Sequence, residues 1–359
     1  MSRALNFNAG PAALPQTVLE EAQKHLLDFK GTGMSVMELS HRSKVYEEVH
    51  NGAKLKLKKL LTISDEYEIL FIQGGASLQF SMIPMNLLID ESVGSYVLTG
   101  SWSEKALKEA KKIGQTQVLA SSKDQQYKEI PSADLNKLSQ DSAYLHITSN
   151  NTIYGTQWDT FPEVSVPLIA DMSSDILSKP LNVDQFGLIY AGAQKNLGPS
   201  GVTVVIIKKD LLKRSNDQLP TMMNYQTYSD HNSLYNTPPT FAIYLLDLVL
   251  EWAHSEGGVE ALEVKNTEKA NVLYDVIDGS KGFYNGHAQK DSRSKMNVTF
   301  TLPTEELTSS FLAQAKDYGF VGLNGHRSVG GCRASIYNAM PLDHVIQLAE
   351  FMKKFKSLT

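Results

Sequence analysis

The chain carries a single cysteine, Cys332, among 359 residues. One thiol excludes an intrachain disulfide framework and a zinc site built from two or four cysteines. The nine histidines include no H-E-x-x-H string and no pair spaced i, i+4, so the usual helical zinc motif is missing too, and no metal is expected. Basic blocks are also lacking. Lysine and arginine (34) are outnumbered by acids (39), giving a net charge of −5. Nucleic acid and anionic lipid both demand a concentrated basic footprint, so neither is expected as a main partner. Apolar runs are short: residues 202–207 are well below the ~20 residues of a membrane helix, and Asp247 and Glu251 interrupt the apolar stretch 242–253. The N-terminal residues have no apolar secretory core. A cytoplasmic location is the expectation. No internal repeat or low-complexity tract occurs.

What is present reads as a soluble globular protein, with 42% hydrophobic and 20% charged residues. The length suits two or three domains. Helical patterns are expected at 17–29, with Thr17 as N-cap and an acidic first turn, and at 43–61, with an apolar face through Val49, Ala53 and Leu57. A strand at 68–72 runs through Gly74-Gly75-Ala76-Ser77 into a helix that Pro84 kinks or ends. A strand at 96–99 leads to Trp102 and a helix at 104–113 capped by Ser103. Apolar strands follow at 143–148, 167–172, 187–191 and 202–207. Strands of this kind separated by helices imply parallel βαβ units in an α/β fold covered on both faces. Beyond about residue 255 the pattern changes to helix 258–278, strand 296–302, helix 304–318 and helix 341–356. The expectation is a large cofactor-binding domain at 16–257 and a smaller α+β domain at 258–359, with the N-terminal segment 1–15 packing on the smaller one.

Open α/β sheets bind ligands beyond the carboxyl ends of their strands. Five features fall there: the loop Gly74 to Ser77, Trp102, Thr152, Asp171, and Gln194-Lys195. Each has an ordinary explanation. A Gly-Gly loop before a helix is often only a tight turn, although free N–H groups at a helix start also suit phosphate. It matches neither the P-loop nor the dinucleotide fingerprint. Trp102 suits a core, Asp171 a turn, and most lysines are surface solubilisers. Together the features describe pyridoxal phosphate chemistry. That cofactor needs a lysine amine for a Schiff base, a carboxylate against its pyridine nitrogen, a phosphate cup and an aromatic face. Asp171 precedes Lys195 by 24 residues, room for a turn, a connection and one further strand.

Several strings then carry a resemblance. They are Asn6-Phe7-Asn8-Ala9-Gly10-Pro11-Ala12, Glu38-Leu39-Ser40-His41-Arg42-Ser43, Gly74-Gly75-Ala76-Ser77-Leu78-Gln79-Phe80, Ala193-Gln194-Lys195-Asn196, Tyr235-Asn236-Thr237-Pro238-Pro239-Thr240, Gly325-His326-Arg327, and 330–338. On these the chain resembles, along its whole length, the phosphoserine aminotransferase family. These are class V aminotransferases of fold type I, with a mostly parallel central sheet between helices and a smaller α+β C-terminal domain.

The resemblance implies the following roles. Lys195 looks like the Schiff-base lysine and proton carrier, and Asp171 is similar to the pyridine-nitrogen partner. Trp102 looks like the stacking ring. Gly75, Ala76, Ser77 and Gln194 resemble the phosphate cup, and Thr152 matches a residue near the cofactor's 3-hydroxyl. Asn236 and Thr237 match residues that reach the cofactor phosphate of a neighbouring subunit, and His41 and Arg42 match substrate residues also contributed across a homodimer. Arg333 resembles the clamp for the α-carboxylate, with His326 and Arg327 as further anion ligands. Some relatives hold an arginine where Ser77 stands, and its absence removes one contact to the distal anion. The implied reaction is a reversible transamination: L-glutamate and 3-phosphohydroxypyruvate give 2-oxoglutarate and O-phospho-L-serine, in serine biosynthesis.

The arginines also make sense by chemistry alone. Both amino acids carry an α-carboxylate and a distal anion, and a planar guanidinium holds either through two hydrogen bonds. Three other readings compete. A cysteine desulfurase would need a mobile nucleophilic cysteine, whereas Cys332 lies between Gly331 and Arg333. An alanine–glyoxylate type aminotransferase would not need several cations for a distal phosphate. A non-catalytic nucleotide-binding or interaction module would need no Lys195.

Overall fold

The computed structural model describes residues 3–214 and 218–359. Residues 1 and 2 of the N-terminal segment expected to pack on the smaller domain lie outside them. The chain begins with β1 (Leu5–Asn6), α1 (Gln16–Lys24) and α2 (Lys44–Leu60). The α2 helix starts where the Ser43 hydroxyl accepts the Tyr46 N–H, and it buries Val49, Ala53 and Leu57 on one face. The α1 helix departs from the expected 17–29. Pro15, not Thr17, precedes it, the first turn holds no acid, and it ends at Lys24. The chain leaves the helix there so that Phe29 can bury itself edge-on against Tyr244, 5.3 Å between ring centroids. Tertiary packing overrides local propensity at this point.

The middle of the chain supplies β2 (Tyr67–Gln73), α3 (Gln79–Leu87), β3 (Val93–Leu98), α4 (Ser101–Ala110), β4 (Gln115–Ser121), β5 (Ser142–Thr148), β6 (Asn150–Asn151), β7 (Thr156–Gln157), β8 (Leu168–Asp171), β9 (Leu188–Gly192) and β10 (Val202–Lys208). Seven strands form one sheet in the order β2-β10-β9-β8-β5-β3-β4. Every pairing is parallel except those of β10, which runs antiparallel to β2 and β9. The sheet is covered on both faces, as the continuous apolar strands imply. Along β10, Val202, Val204 and Ile206 enter one apolar cluster, and Val205 and Ile207 enter another.

Three local expectations are corrected. Strand β4 was not foreseen, because as an edge strand paired only with β3 it is largely polar. The helix expected at 104–113 begins at Ser101, and Ser103 does not precede it: its hydroxyl accepts the N–H groups of Thr99 and Gly100 at 3.0 and 3.2 Å and thereby fixes the turn out of β3. Of the two outcomes expected at Pro84, an end to the helix there is not found: Pro84 lies inside α3, which continues to Leu87.

The remainder holds α5 (Lys209–Leu212), α6 (Tyr225–Asp230), α7 (Thr240–Ser255), α8 (Gly258–Asp278), β11 (Asn285–Gly286), β12 (Asn297–Thr301), α9 (Glu305–Asp317), β13 (Phe320–Val321), β14 (Cys332–Ser335) and α10 (Leu342–Leu358). Strands β11, β12 and β14 form an antiparallel sheet, and β1 pairs in parallel with β13. A separate apolar cluster spans α8 to α10 and takes in Phe7 from the N-terminal segment. At its centre Phe311 is fully buried and meets the rings of Tyr284, Phe300, Phe351 and Phe355. Phe311→Ala is expected to cost about 3–5 kcal/mol of stability through lost burial and the cavity left behind. A fall in the urea unfolding midpoint checks this.

Candidate active site

The parallel strands deliver their last residues to one cavity of about 330 Å³. Asp171 ends β8 and Thr148 ends β5, side by side in register. Lys195 and Gln194 follow β9. The loop Gly75-Ala76-Ser77 leaves β2, and Trp102 stands in the first turn of α4. Thr152 closes a neighbouring side, while His326 and Arg333 enter from the C-terminal part of the chain. Ten of the residues singled out in the sequence therefore line one pocket. His41, Arg42, Asn236, Thr237 and Arg327 do not line it. Two of these meet elsewhere, the Thr237 hydroxyl lying 3.3 Å from His41 Nδ1, and Asn236 donates to Gln73 Oε1 at 2.9 Å.

Electrostatics give the pocket its chemistry. Lys195 Nζ donates to Thr152 Oγ1 at 2.9 Å. Burial disfavours its charged form and pushes the amine down to about 8. The Asp171 carboxylate pulls the other way, and Arg333 adds to the depression. Asp171 is itself buried, and desolvation raises its carboxyl. Against that, Oδ1 accepts the Ser173 N–H at 3.0 Å and the Ser173 hydroxyl at 2.6 Å, and both bonds favour the ionised form. Arg333 gives one N–H to the Thr152 carbonyl at 3.3 Å. Its Nε, like the indole N–H of Trp102, has no partner among the described residues. A half-buried guanidinium with an unused buried donor suits an incoming anion. No group of His, Cys, Asp and Glu side chains fit to hold a metal occurs among the described residues.

Other pocket residues escaped the sequence reading. Ala9 and Gly10 bring the N-terminal segment against the lysine. Gly10 has φ +150°, and a side chain there would lie 3.5 Å from Lys195 Cγ. The Asn-Ala-Gly-Pro string was visible, but only folding shows where it docks. Ser173 was legible only as two residues beyond Asp171. Cys332 is fully buried, and its thiol is pushed up to about 12. A thiol in that state is no nucleophile, which removes the desulfurase reading.

Comparison with known proteins agrees. Residues 4–348 match the model of the aminotransferase class-V family. The chain belongs to this family. It is 67% identical over 356 residues to a phosphoserine aminotransferase of Geobacillus kaustophilus, covering 99% of each chain. It is 61% identical to one of Bacillus subtilis, again covering 99% of both. Among solved structures, the pyridoxal-phosphate-bound phosphoserine aminotransferase of Trichomonas vaginalis superimposes with a TM-score of 0.92 at 39% identity, covering 98% of this chain and all of that one.

Class V aminotransferases use pyridoxal phosphate, and the residues present fit it. A buried amine leaning toward neutrality, a buried carboxylate with one oxygen pinned, an indole, and a glycine-bearing loop share one pocket. The folded amine titrates below its ordinary 10.5, so the cofactor-free folded protein binds fewer protons than the unfolded chain between about pH 8 and that value. Stability contributed by this site must therefore rise with pH across the window. Cofactor-free wild type should gain stability relative to Lys195→Met between pH 8 and pH 10, as read by urea unfolding. An equal difference at both pH values would contradict the burial effect.

Proposed function

We propose that this chain catalyses phosphoserine transamination. L-glutamate surrenders its amino group and leaves as 2-oxoglutarate, and 3-phosphohydroxypyruvate receives the group and leaves as O-phospho-L-serine. The observation that carries the reading is the half-buried Lys195 amine, donating to Thr152 and sharing its pocket with Asp171 and a partly unpaired Arg333. Near-full-length likeness to phosphoserine aminotransferases supports it.

When bound, pyridoxal phosphate supplies a carbonyl that links to amines and a pyridinium ring that withdraws electrons from the substrate's Cα. The chain supplies the rest. Lys195 holds the cofactor through Nζ. With cofactor and substrate bound, the same Nζ would carry a proton between the substrate's Cα and the cofactor's C4′, which needs an amine able to be neutral near working pH. The lowering to about 8 brings the amine much closer to that state than an ordinary lysine. Asp171 keeps Oδ1 on Ser173 and offers its other oxygen to a protonated ring nitrogen. Gly75, Ala76, Ser77 and Gln194 would hold the phosphate and Trp102 the ring, and Thr152 orients Lys195. Arg333 clamps the α-carboxylate shared by both amino acids, and His326 and Arg327 receive the distal anion.

The functional unit is a homodimer in this reading. His41, Arg42, Asn236 and Thr237 lie outside the pocket of their own chain, and a second copy would bring them to it. Near them in sequence, Leu27, Met37 and Tyr235 are exposed apolar side chains, Leu27 to 85%. A cytoplasmic location goes with the reading. Among the described residues no helix is long and apolar enough to cross a membrane.

Two substitutions test the assignment. Lys195→Ala should abolish the covalently held, coloured cofactor and lower transamination by about 10⁴-fold. Retained colour and turnover would remove Lys195 from its role. Arg333→Lys keeps the charge but not the planar fork. It should raise KM for both L-glutamate and O-phospho-L-serine by about tenfold or more, and an effect on the phosphorylated substrate alone would reassign Arg333 to the distal anion.

A further inference from the structure

Behind the pocket, on the sheet face that carries Asp171, lies a buried polar chain with no part in the steps above. Tyr190 stands on β9 in register with Asp171 on the parallel neighbour β8, so the two side chains leave the same face of the sheet. Tyr190 is fully buried. Its hydroxyl lies 2.9 Å from Nε2 of His146 on β5, itself 1% exposed. The rings of Tyr96 and His146 are 5.1 Å apart, and the Tyr96 hydroxyl is engaged with that of Tyr144 at 2.7 Å. Phe80, a pocket residue, meets the Tyr190 ring edge-on at 6.4 Å.

The direction of the hydrogen bond follows from what His146 lacks. Burial pushes this imidazole down to about 3, so it is neutral and carries one proton. Its Nδ1 is buried without a partner among the described residues. A proton on Nδ1 would leave an orphaned buried donor, which is rarer in native proteins than an under-satisfied acceptor. The proton therefore sits on Nε2 and is donated to the Tyr190 oxygen. The Tyr190 O–H is then free to turn toward its register neighbour Asp171 on the same sheet face, where a donor favours the ionised carboxyl.

We propose that Tyr190 is a positioning residue for Asp171, holding its carboxylate in place and ionised, with His146 fixing which way the Tyr190 proton points. The inference rests on the proposed role of Asp171 opposite the cofactor's ring nitrogen. It also accounts for a histidine whose burial is otherwise pure cost, since an apolar residue would fill that site without losing hydration.

The test uses the full chain stripped of cofactor and titrated with pyridoxal phosphate, with Kd read from absorbance. Tyr190→Phe keeps the ring and its packing and removes only the hydroxyl. Its Kd should rise about tenfold or more, the usual scale for a hydrogen bond to a charged group. His146→Phe should have a smaller effect, and none in the Tyr190→Phe background, because His146 acts only through Tyr190. Nitrogen-15 NMR of the unsubstituted protein should show His146 as the Nε2–H tautomer. An unchanged Kd in Tyr190→Phe, an additive loss from His146→Phe, or an Nδ1–H tautomer would each overturn the proposal. The tautomer decides alone if the variants do not fold. Failure of the unsubstituted protein to take up pyridoxal phosphate would instead remove the proposed function.

Discussion

Everything in the site depends on one amine being held partly out of water. Among the described residues Lys195 gains no carboxylate close enough to form an ion pair; it has the Thr152 hydroxyl at 2.9 Å and the field of Asp171. Burial without a close counter-ion is what moves a lysine toward neutrality. The same dry environment would neutralise Asp171, and there the chain does the opposite by adding donors from Ser173 that stabilise charge. Burial thus pushes both groups toward their neutral forms, and at Asp171 the Ser173 bonds offset part of that push. Shifted titratable groups gathered in one pocket are a mark of a functional site.

Such a site is stable only because the surroundings are rigid. Asp171 and Tyr190 sit on adjacent central strands whose other residues are packed on both faces. Next to the lysine, Asn196 receives the N–H of Asn338 at 3.0 Å, and Asn338 accepts from Asn266 on α8 at 2.8 Å. A file of amides therefore ties the lysine loop to the C-terminal part of the chain that carries Arg333. Buried Lys269 adds to this tie by donating to the carbonyls of Ile336 and Tyr337 at 3.0 and 2.7 Å. Two donors to two acceptors suit a neutral amine, and burial pushes Lys269 down to about 7.

Net charge says little about such a pocket. The chain as a whole carries −5, yet the cavity sets Lys195, Arg333 and His326 against Asp171. A small phosphorylated substrate answers to a few such groups, not to the sum over the surface.

Residue order alone determined the α/β class, the positions of the central apolar strands, and the grouping of Gly75, Trp102, Asp171 and Lys195 at strand ends. These follow from period and composition, which act over neighbours in the chain. It did not reveal that β10 runs antiparallel between β2 and β9, because an apolar run has no direction until it is paired. It did not reveal the edge strand β4, whose polar face looks like a loop, nor the early end of α1, where Phe29 is drawn to Tyr244. Only the tertiary structure placed Gly10 against Lys195 and Tyr190 beside Asp171 and His146. It also left His41, Arg42, Asn236 and Thr237 outside their own pocket. The physical reason is the same in each case: burial, register and hydrogen-bond partnership join residues far apart in sequence, and no local pattern encodes them.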